Sequence, residues 1–470
     1  MRWYRGVARI LSLEPETSLA YLYGTKLGEI PHLREKKRKY SGLLLQTLFF
    51  LYRHVRRISL RKMSLDKARP DFLVVADTLN QMVSLDGTVD SLRAKPVVVE
   101  ALAHRKFLKD SEYRNKYRAI RFGPSDIGKC VCLIALRGPR LLRELKKKDP
   151  LLTEWYLSEF LDIYIYLPFF LSLLQRSQPK FVVTSNDHNP LNRCLLAAAH
   201  YLDIKTVYLQ HASVSKLFPP LRVNYAFLDG QSALETYRQC EGNLSKDIVK
   251  NYPIPLVFLS GQKKKIISSC SSGRVGVALN ALDCVEEVIK FVDRLASQGV
   301  QVSVRWHPSQ KNEDTLRIRD IFKGNSSVYF NDPRTTNISE YLGSVGYLVA
   351  GNSSVHLEAA LSNVVPIYYD FKSSSSYDYY RYVRSGVALK AESPEEVLGI
   401  LHRDKAELAM NEESIRHYSW TYKTEWQGRE GELVSQILVR LLNQDSRNLS
   451  NMDNLDYTNL VEQRPGLEVS

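Results

Sequence analysis

Three catalytic signatures are missing from the 470 residues of this chain. The phosphate loop Gly-x-x-x-x-Gly-Lys-Ser/Thr is absent, which argues against phosphoryl transfer by a P-loop enzyme. The elbow Gly-x-Ser-x-Gly is absent too, which argues against an α/β-hydrolase. No Asp-x-Asp pair occurs, so we infer no divalent metal that bridges a diphosphate. We therefore predict no metal and no other cofactor.

Cysteine is scarce, with six residues and no Cys-x-x-Cys pair. Cys130 and Cys132 lie too close together for a zinc knuckle, and most of the others lie in apolar sequence. Such residues are typical of buried free thiols in a reducing compartment. The N-terminal segment also lacks the pattern of a signal peptide. We therefore expect a cytoplasmic protein.

Long uncharged apolar stretches are missing as well. Leu43–Tyr52 is too short to span a bilayer. Its basic flanks would suit lipid headgroups, and a helix packed on its own domain is the equal alternative. Tyr156–Leu174 contains Glu159 and Asp162, so we interpret it as a buried helix that precedes a strand.

Acidic residues are outnumbered, since 65 Lys and Arg face 51 Asp and Glu for a net charge of +14. Such an excess favours an anionic partner. The basic clusters lack the aromatic interleaving of nucleic-acid-binding modules. We therefore expect no nucleic acid, and contact of the basic N-terminal segment with the inner face of a membrane; a solvated basic surface is the alternative for any one cluster. The clusters are Arg34–Lys39, Arg53–Arg61 and Arg137–Lys148.

Apolar strands alternate with helical stretches through both halves of the chain, a pattern typical of doubly wound α/β domains. We predict two Rossmann-like domains that face a cleft, with a helical basic segment in front. The predicted ranges are 1–70 for that segment, 71–262 for the first domain, 263–442 for the second domain and 443–470 for a disordered tail.

Two polar elements follow predicted strands in the second half. One is Arg305, Trp306, His307 and Pro308, and the other runs from Gly351 through Asn352, Ser353 and Ser354 to Glu358. Because ligands bind at the carboxyl ends of strands in such sheets, we expect His307 and the two serines to share one anion across neighbouring strand tips. The plainer alternatives are a helix cap and a histidine bonded to a backbone carbonyl.

The first half offers candidates for a general base at its own strand tips. Asp187 and His188 follow the predicted strand Phe181–Thr184, and either could accept a proton from an acceptor hydroxyl. An Asx turn before a helix is the alternative for this segment. His211 follows Thr206–Leu209 and is a further candidate.

These motifs occur in an order that resembles bacterial surface-polysaccharide transferases of the GT-B fold. That set includes CDP-glycerol glycerophosphotransferases and capsule sialyl- and Kdo-transferases. The resemblance covers roughly residues 180–370 and rests on the segments Tyr208–His211, Phe218–Pro220, Asp229–Gly230, Arg305–Pro308 and Gly351–Glu358.

The resemblance implies that His307, Ser353 and Ser354 contact the phosphate of the donor, and that Glu358 binds the ribose. Two features depart from these families. Asn186-Asp187-His188 replaces the paired acidic-Gly motif of the sialyltransferase-like members, and Gln210-His211-Ala212 replaces the His-Gly of the polyol-phosphate branch.

We therefore expect a metal-independent, inverting transferase, peripheral on the inner membrane face. It would use a CMP- or CDP-linked donor and a glycan or lipid-linked acceptor to build capsule or lipopolysaccharide. Two alternatives stay open: a non-hydrolysing sugar-nucleotide epimerase of the same fold, and a non-catalytic member of a polysaccharide assembly complex.

Overall fold

The computed structural model describes residues 2–30, 33–34, 40–55, 57–59, 63, 65, 69–108, 112–263, 273–308, 310–372, 377–405, 407–408, 410–443 and 457–459. The chain forms two compact units. Unit 1 comprises Met1–Lys263 together with Arg429–Ser470, and unit 2 comprises Lys264–Gly428.

Among its described residues, unit 1 contains eight strands: β1 Phe72–Ala76, β2 Val99–Ala103, β3 Arg118–Ala119, β4 Phe181–Thr184, β5 Lys205–Leu209, β6 Tyr225–Leu228, β7 Leu256–Leu259 and β14 Tyr457–Asn459. They form one sheet in the order β14-β7-β6-β5-β4-β1-β2-β3. All neighbouring pairs are parallel except β14 with β7. Every residue of β1 is buried, as expected for a parallel strand covered on both faces.

The helices of unit 1 are α1 Arg2–Leu13, α2 Glu16–Leu19, α3 Tyr21–Gly24, α4 Leu43–Val55, α5 Leu79–Arg93, α6 Pro124–Lys148, α7 Pro150–Trp155, α8 Leu157–Ser177, α9 Pro190–Tyr201, α10 Gln231–Gln239, α11 Lys246–Val249 and α18 Glu430–Asn443. Short 3-10 turns lie at Leu27–Glu29, Arg105–Leu108, Glu112–Asn115 and Cys240–Asn243. The basic N-terminal segment is therefore helical, as predicted.

Helix α8 is the centre of the hydrophobic core of unit 1. It is long and apolar enough to cross a membrane, yet most of it is buried inside this unit. It packs against α1, α4, α6 and α9, and β4 follows it. This confirms the prediction of a buried helix that precedes a strand.

The part of unit 2 that the structure describes contains six parallel strands: β8 Val275–Ala278, β9 Val302–Arg305, β10 Val328–Asn331, β11 Tyr347–Ala350, β12 Val365–Tyr369 and β13 Leu389–Ala391. Their order is β10-β9-β8-β11-β12-β13. The helices are α12 Val285–Ser297, α13 Asn312–Ile321, α14 Ile338–Gly343, α15 Val355–Leu361, α16 Pro394–Leu401 and α17 Glu412–Tyr418.

Alternate residues of the unit 2 strands fill two separate apolar clusters. Val277 and Val349 pack with α12, whereas Ala278 and Ala350 pack with α14 and α15. Both faces of the sheet are thus covered, which confirms the predicted fold class of two doubly wound α/β domains.

The border of the second predicted domain differs from the structure. The predicted range 263–442 contains all but the last residue of Glu430–Asn443, whereas the structure packs this helix, α18, on α5 of unit 1. Most of the tail predicted to be disordered lies outside the described residues, as do residues 264–272 near the predicted start of the second domain.

Candidate active site

The strand order of unit 2 fixes where its ligand site should lie. Counted within the unit, the order is 3-2-1-4-5-6, that of dinucleotide-binding sheets, in which ligands occupy the crevice where the winding direction reverses. In unit 2 this switch point lies between β8 and β11, whose last residues Ala278 and Ala350 are paired. The loops 279–284 and 351–354 therefore meet at one edge.

A direct hydrogen bond joins these two loops. Asn280 Nδ2 donates to the carbonyl oxygen of Asn352 over 2.6 Å. Asn352 is buried, and its Oδ1 accepts from the backbone N–H of Tyr379 over 2.9 Å. The predicted residue Asn352 thus fixes the switch-point crevice from the β11 side, and Asn280, which the sequence analysis missed, does so from the β8 side.

Asp283 is a second residue that sequence reasoning missed. Its Oδ2 accepts from the backbone N–H of Asn280 over 2.7 Å, whereas its buried Oδ1 has no hydrogen-bond partner among the described residues. A methyl group on Gly351 would lie 3.1 Å from this oxygen, so glycine permits the close approach. Burial, and then the charge of Asp370, raise the pKa of Asp283 to about 7.

Ser353 and Ser354 lie half-buried beside this crevice, before the seven-residue helix α15. Ser354 occupies the N-cap position but makes no side-chain capping bond, and Ser353 Oγ lies 3.4 Å from the N–H of Val355. The helix-cap alternative therefore does not account for the Ser354 hydroxyl. Both residues belong to the loop 351–354 at the switch point.

Arg305 and Glu358 are brought together on one face of the unit 2 sheet. Both are buried, and their charges interact. Arg305 Nη1 donates to Asn331 Oδ1 and to the carbonyl oxygen of Thr336, so it also ties β9 to the loop after β10. Desolvation lowers the pKa of Arg305.

His307 lies two residues beyond β9, and Pro308 follows it; both are exposed. Nearby protein atoms still desolvate the imidazole enough to lower the pKa of His307. The expectation of neighbouring strand tips is wrong, because β8 lies between β9 and β11. With neighbouring strands about 4.8 Å apart, the two tips are separated by roughly 10 Å.

Read from β3, the sheet of unit 1 begins with the same order 3-2-1-4-5-6 and continues with β7 and β14. Its switch point therefore lies between β1 and β4. Asp187 lies beyond β4 and is buried. Its Oδ1 is 3.0 Å from His188 Nδ1, and its Oδ2 accepts from the hydroxyl of Tyr237 over 2.9 Å. The Tyr237 oxygen is also 3.0 Å from the Tyr208 hydroxyl, and because a phenol carries one proton, Tyr208 donates to Tyr237.

The Asx turn is made by Asn186 and Asn189, on either side of Asp187. The Asp187 carboxylate takes no part in the turn and bonds to His188 and Tyr237 instead. Asn186 Oδ1 accepts from the backbone N–H groups of His188 and Asn189, each over 2.9 Å. Asn189 Oδ1 caps α9 by accepting from the N–H of Asn192 over 3.0 Å. The structure therefore places turn chemistry on the two asparagines and a side-chain network on Asp187.

Asp77 lies across the same switch point, directly after β1. Asn189 Nδ2 donates to its Oδ2 over 3.2 Å. The side chain keeps partial contact with solvent, while desolvation by its surroundings raises the pKa of Asp77 to about 6. The signal that could have identified it is the polar residue at the end of the first predicted strand.

The two remaining strand tips of unit 1 have different surroundings. His211 lies at the tip of β5, next to β4, and its carbonyl oxygen is 3.5 Å from Ser84 Oγ. Asp229, at the tip of β6, is buried and bonded to Lys263 Nζ over 2.8 Å. Asp229 is therefore neutralised by a cation, whereas Asp187 is bonded to an imidazole and a phenol.

Comparison with known proteins gives relatives by fold. No protein family and no curated protein matches the chain by sequence. A protein from Listeria monocytogenes, assigned as a UDP-N-acetylglucosamine 2-epimerase, superposes with a TM-score of 0.51 at 9% identity and covers 81% of this chain and 98% of its own. The UDP-GlcNAc 2-epimerase from Neisseria meningitidis, solved with UDP-GlcNAc, gives 0.50 at 10%, covering 78% and 99%.

Glycosyltransferases also occur among the structural neighbours. Glycosyltransferase VinC in complex with dTDP gives a TM-score of 0.45 at 13% identity, covering 79% of this chain and 99% of its own. At such low identities the similarity is one of fold alone. Because the TM-score of this match is below 0.5, we base no argument on it. The two epimerase structures thus support the predicted class of two parallel-sheet α/β domains.

Proposed function

We propose that this chain is a metal-independent, inverting glycosyltransferase that uses a CMP- or CDP-linked donor to build a capsule or lipopolysaccharide polysaccharide. One observation carries the proposal: in both units a sheet of dinucleotide-binding order ends in buried polar groups at its switch point. Unit 2 would hold the donor, and unit 1 would bind the acceptor and supply the base.

Donor binding is assigned to the loops after β8, β9 and β11. The Asn280–Asn352 bond pre-forms the crevice, and the carboxyl of Asp283 would bond a hydroxyl or amino group of the nucleotide. Ser353 and Ser354 would bind the nucleotide from one side and His307 from the other. A separation of roughly 10 Å between the strand tips fits a nucleotide lying across the edge of the sheet better than one isolated phosphate.

Transfer would proceed by a single displacement, which inverts the configuration at the sugar carbon. The acceptor oxygen forms the new bond to that carbon as the bond from carbon to the donor phosphate breaks. The proton of the acceptor hydroxyl passes to the base, and the phosphate leaves with its negative charge stabilised by preorganised donors. Neither the proton transfer nor the departure of the phosphate requires a metal ion.

The Asp187–His188 pair is the best-placed base. Both oxygens of Asp187 are bonded and its side chain is buried, while His188 keeps more contact with solvent. We therefore assign proton acceptance to His188 Nε2, which accepts from Asn186 Nδ2 over 3.2 Å and would exchange that bond for one to the acceptor hydroxyl. Asp187 would hold the Nδ1–H and stabilise the imidazolium. His211, at the neighbouring tip, would bind the acceptor.

The test begins with binding. Thermal shift of the full chain with CMP, CDP, UMP, UDP, GDP and dTDP should show a preference for a cytidine nucleotide, and His307→Ala and Ser353→Ala should weaken it. Turnover is then measured with CMP- and CDP-linked donors. Turnover by His307→Ala equal to that of the wild type would remove the phosphate role of this residue.

An epimerase is the second candidate, favoured by the number of acid–base groups gathered at one switch point. Asp77, Asp187 and His188 could exchange a proton at a sugar carbon from two sides. Product analysis separates the two functions, since an epimerase converts a nucleotide sugar in the absence of any acceptor. A non-catalytic assembly protein would bind none of the nucleotides.

A further inference from the structure

Helix α4 presents an apolar stripe to solvent. Leu44, Leu48, Leu51 and Val55 are spaced to lie on one helix face and are 70%, 50%, 49% and 59% exposed. We call these four residues the outer stripe. Leu45 and Tyr52, 46% and 57% exposed, lie beside it. A surface helix normally turns such a face toward the core.

Polar bonds on the opposite face hold α4 in this orientation. His54 Nε2 lies 2.6 Å from Asp162 Oδ1, and both side chains are buried. Arg53 Nη2 pairs with Asp162 Oδ2 over 2.9 Å, and the N–H of Ser158 donates to Gln46 Oε1 over 3.3 Å. These bonds have fixed directions, so α4 cannot rotate to bury its leucines without leaving Asp162 unpaired, which is costly for a buried charge.

The sequence around α4 is strongly basic. Residues 36–65 contain nine Lys or Arg and no Asp or Glu. Arg53 and Arg57 bond to α8, and the other seven flank α4 in the sequence. They are Lys36, Lys37, Arg38, Lys39, Arg56, Arg61 and Lys62.

We propose that the outer stripe docks on an anionic lipid bilayer, with α4 lying in the plane of the interface. The helix has 13 residues and is about 20 Å long, too short to span the hydrocarbon layer. Its leucines would enter the boundary of the acyl chains, while the surrounding basic sequence attracts the headgroups. A second copy of this chain is the poorer occupant, because two such basic segments would repel each other.

The experiment is sedimentation of the full chain with vesicles, without nucleotide, so that its outcome is independent of the proposed enzymatic function. Wild type should bind vesicles of phosphatidylcholine with phosphatidylglycerol, bind phosphatidylcholine alone much more weakly, and lose binding as salt rises. The triple variant Leu44→Gln, Leu48→Gln, Leu51→Gln should bind about tenfold more weakly or worse. Glutamine forms helices nearly as well as leucine, so α4 should persist.

The matched control changes two equally exposed apolar residues of α13 in unit 2. Leu316 and Ile321 are 57% and 50% exposed, and Leu316→Gln with Ile321→Gln should leave vesicle binding unchanged. Three outcomes would overturn the proposal: wild-type protein that ignores anionic vesicles, a triple variant that binds as wild type does, or a dimer in light scattering that the triple variant dissociates. Circular dichroism of each variant checks that the fold is retained.

Discussion

Asp283 and Asp77 are carboxyl groups whose pKa values are raised by burial, and each lies at the switch point of its own unit. A raised pKa means that the folded chain binds a proton more tightly than the unfolded chain does. Such a group contributes most stability in acid and loses it as the pH rises from its ordinary value to the folded one. Both sites therefore carry a cost at neutral pH, as is common at functional sites.

Asp283→Asn should remove this cost. For a folded pKa of about 7, the contribution of Asp283 to stability should be lost between about pH 4 and pH 7 in the wild type, and the variant should lack this loss. We expect the free energy of unfolding of the variant, relative to that of the wild type, to grow by at most about 3 kcal/mol between pH 5 and pH 8. Urea unfolding at each pH measures it. Asp247→Asn is the control, since Lys250 lowers the pKa of Asp247; an equal gain there would contradict the assignment.

Tyr237→Phe should lower turnover modestly. Without the phenol, Asp187 Oδ2 loses its hydrogen bond, so the carboxylate is held less firmly against His188 Nδ1. We expect kcat to fall while the thermal shift with the preferred nucleotide is retained, measured by steady-state kinetics and by thermal shift. Tyr225→Phe, at the first residue of β6, should leave both unchanged.

His188→Gln tests the base itself. We expect turnover to fall by about 10²- to 10⁴-fold, while the thermal shift with the preferred nucleotide is retained because the proposed donor site lies in unit 2. Loss of nucleotide binding in the same variant would contradict this division of roles.

The candidate site residues could be predicted from the sequence, but most of their hydrogen-bond partners could not. Asp187 and His188 are adjacent in the chain, so their pairing could be anticipated. Tyr237 lies fifty residues further on, and nothing in its surroundings marks it as a donor to a carboxylate. The burial of Asp283 Oδ1 likewise depends on how closely Gly351 approaches it. Only the fold determines that distance.

At the scale of elements, the helix at Leu43–Tyr52 was predicted from its apolar run, and the structure extends it to Val55. Its orientation could not be predicted, since it depends on Asp162 and Ser158 of α8, over one hundred residues away. The residues of α18 were assigned to the second domain, because an apolar face does not specify which surface covers it.

Gly431→Ala should test the packing of α18 on α5. An added methyl group would lie 2.4 Å from the carbonyl carbon of Gly87 and 2.7 Å from the nitrogen of Thr88, both backbone atoms. We expect a loss of about 1–3 kcal/mol from overpacking, seen as a lower melting temperature of unit 1.

Gly399→Ala is the matched control for this packing. Gly399 lies inside α16 and has open space around its Cα. Alanine favours a helix over glycine by up to about 1 kcal/mol, so this variant should melt at the same temperature or slightly higher. A loss equal to that of Gly431→Ala would mean that close packing is not the cause.

For the whole molecule, alternation of strands and helices sufficed to predict two doubly wound domains, and the first border was placed near residue 262, beside the division at Lys263. The second border, at which the chain returns from unit 2 to unit 1 after Gly428, was not predicted. Strand order within each sheet was also beyond the sequence, because parallel pairing leaves no local signal in the strands themselves.

A chain that ends at Gly428 lacks both α18 and β14, and hydrogen exchange in α5 should show how far that helix depends on α18. In the full chain Ser91 Oγ of α5 lies 2.7 Å from Ser435 Oγ of α18, and this surface of α5 loses its cover when α18 is absent. Hydrogen exchange should accelerate in Leu79–Arg93 and stay unchanged in the strands of unit 2. Unaltered exchange in Leu79–Arg93 would contradict this dependence.

The return of α18 to unit 1 has a consequence for biosynthesis. A ribosome adds residues from the N-terminus, so everything that unit 2 needs has been made once Gly428 is joined, while unit 1, begun earlier, still awaits Glu430–Asn443. The part of the protein that emerges first is therefore the last to be completed, and until then a nascent chain carries an uncovered surface on α5 that chaperones can recognise.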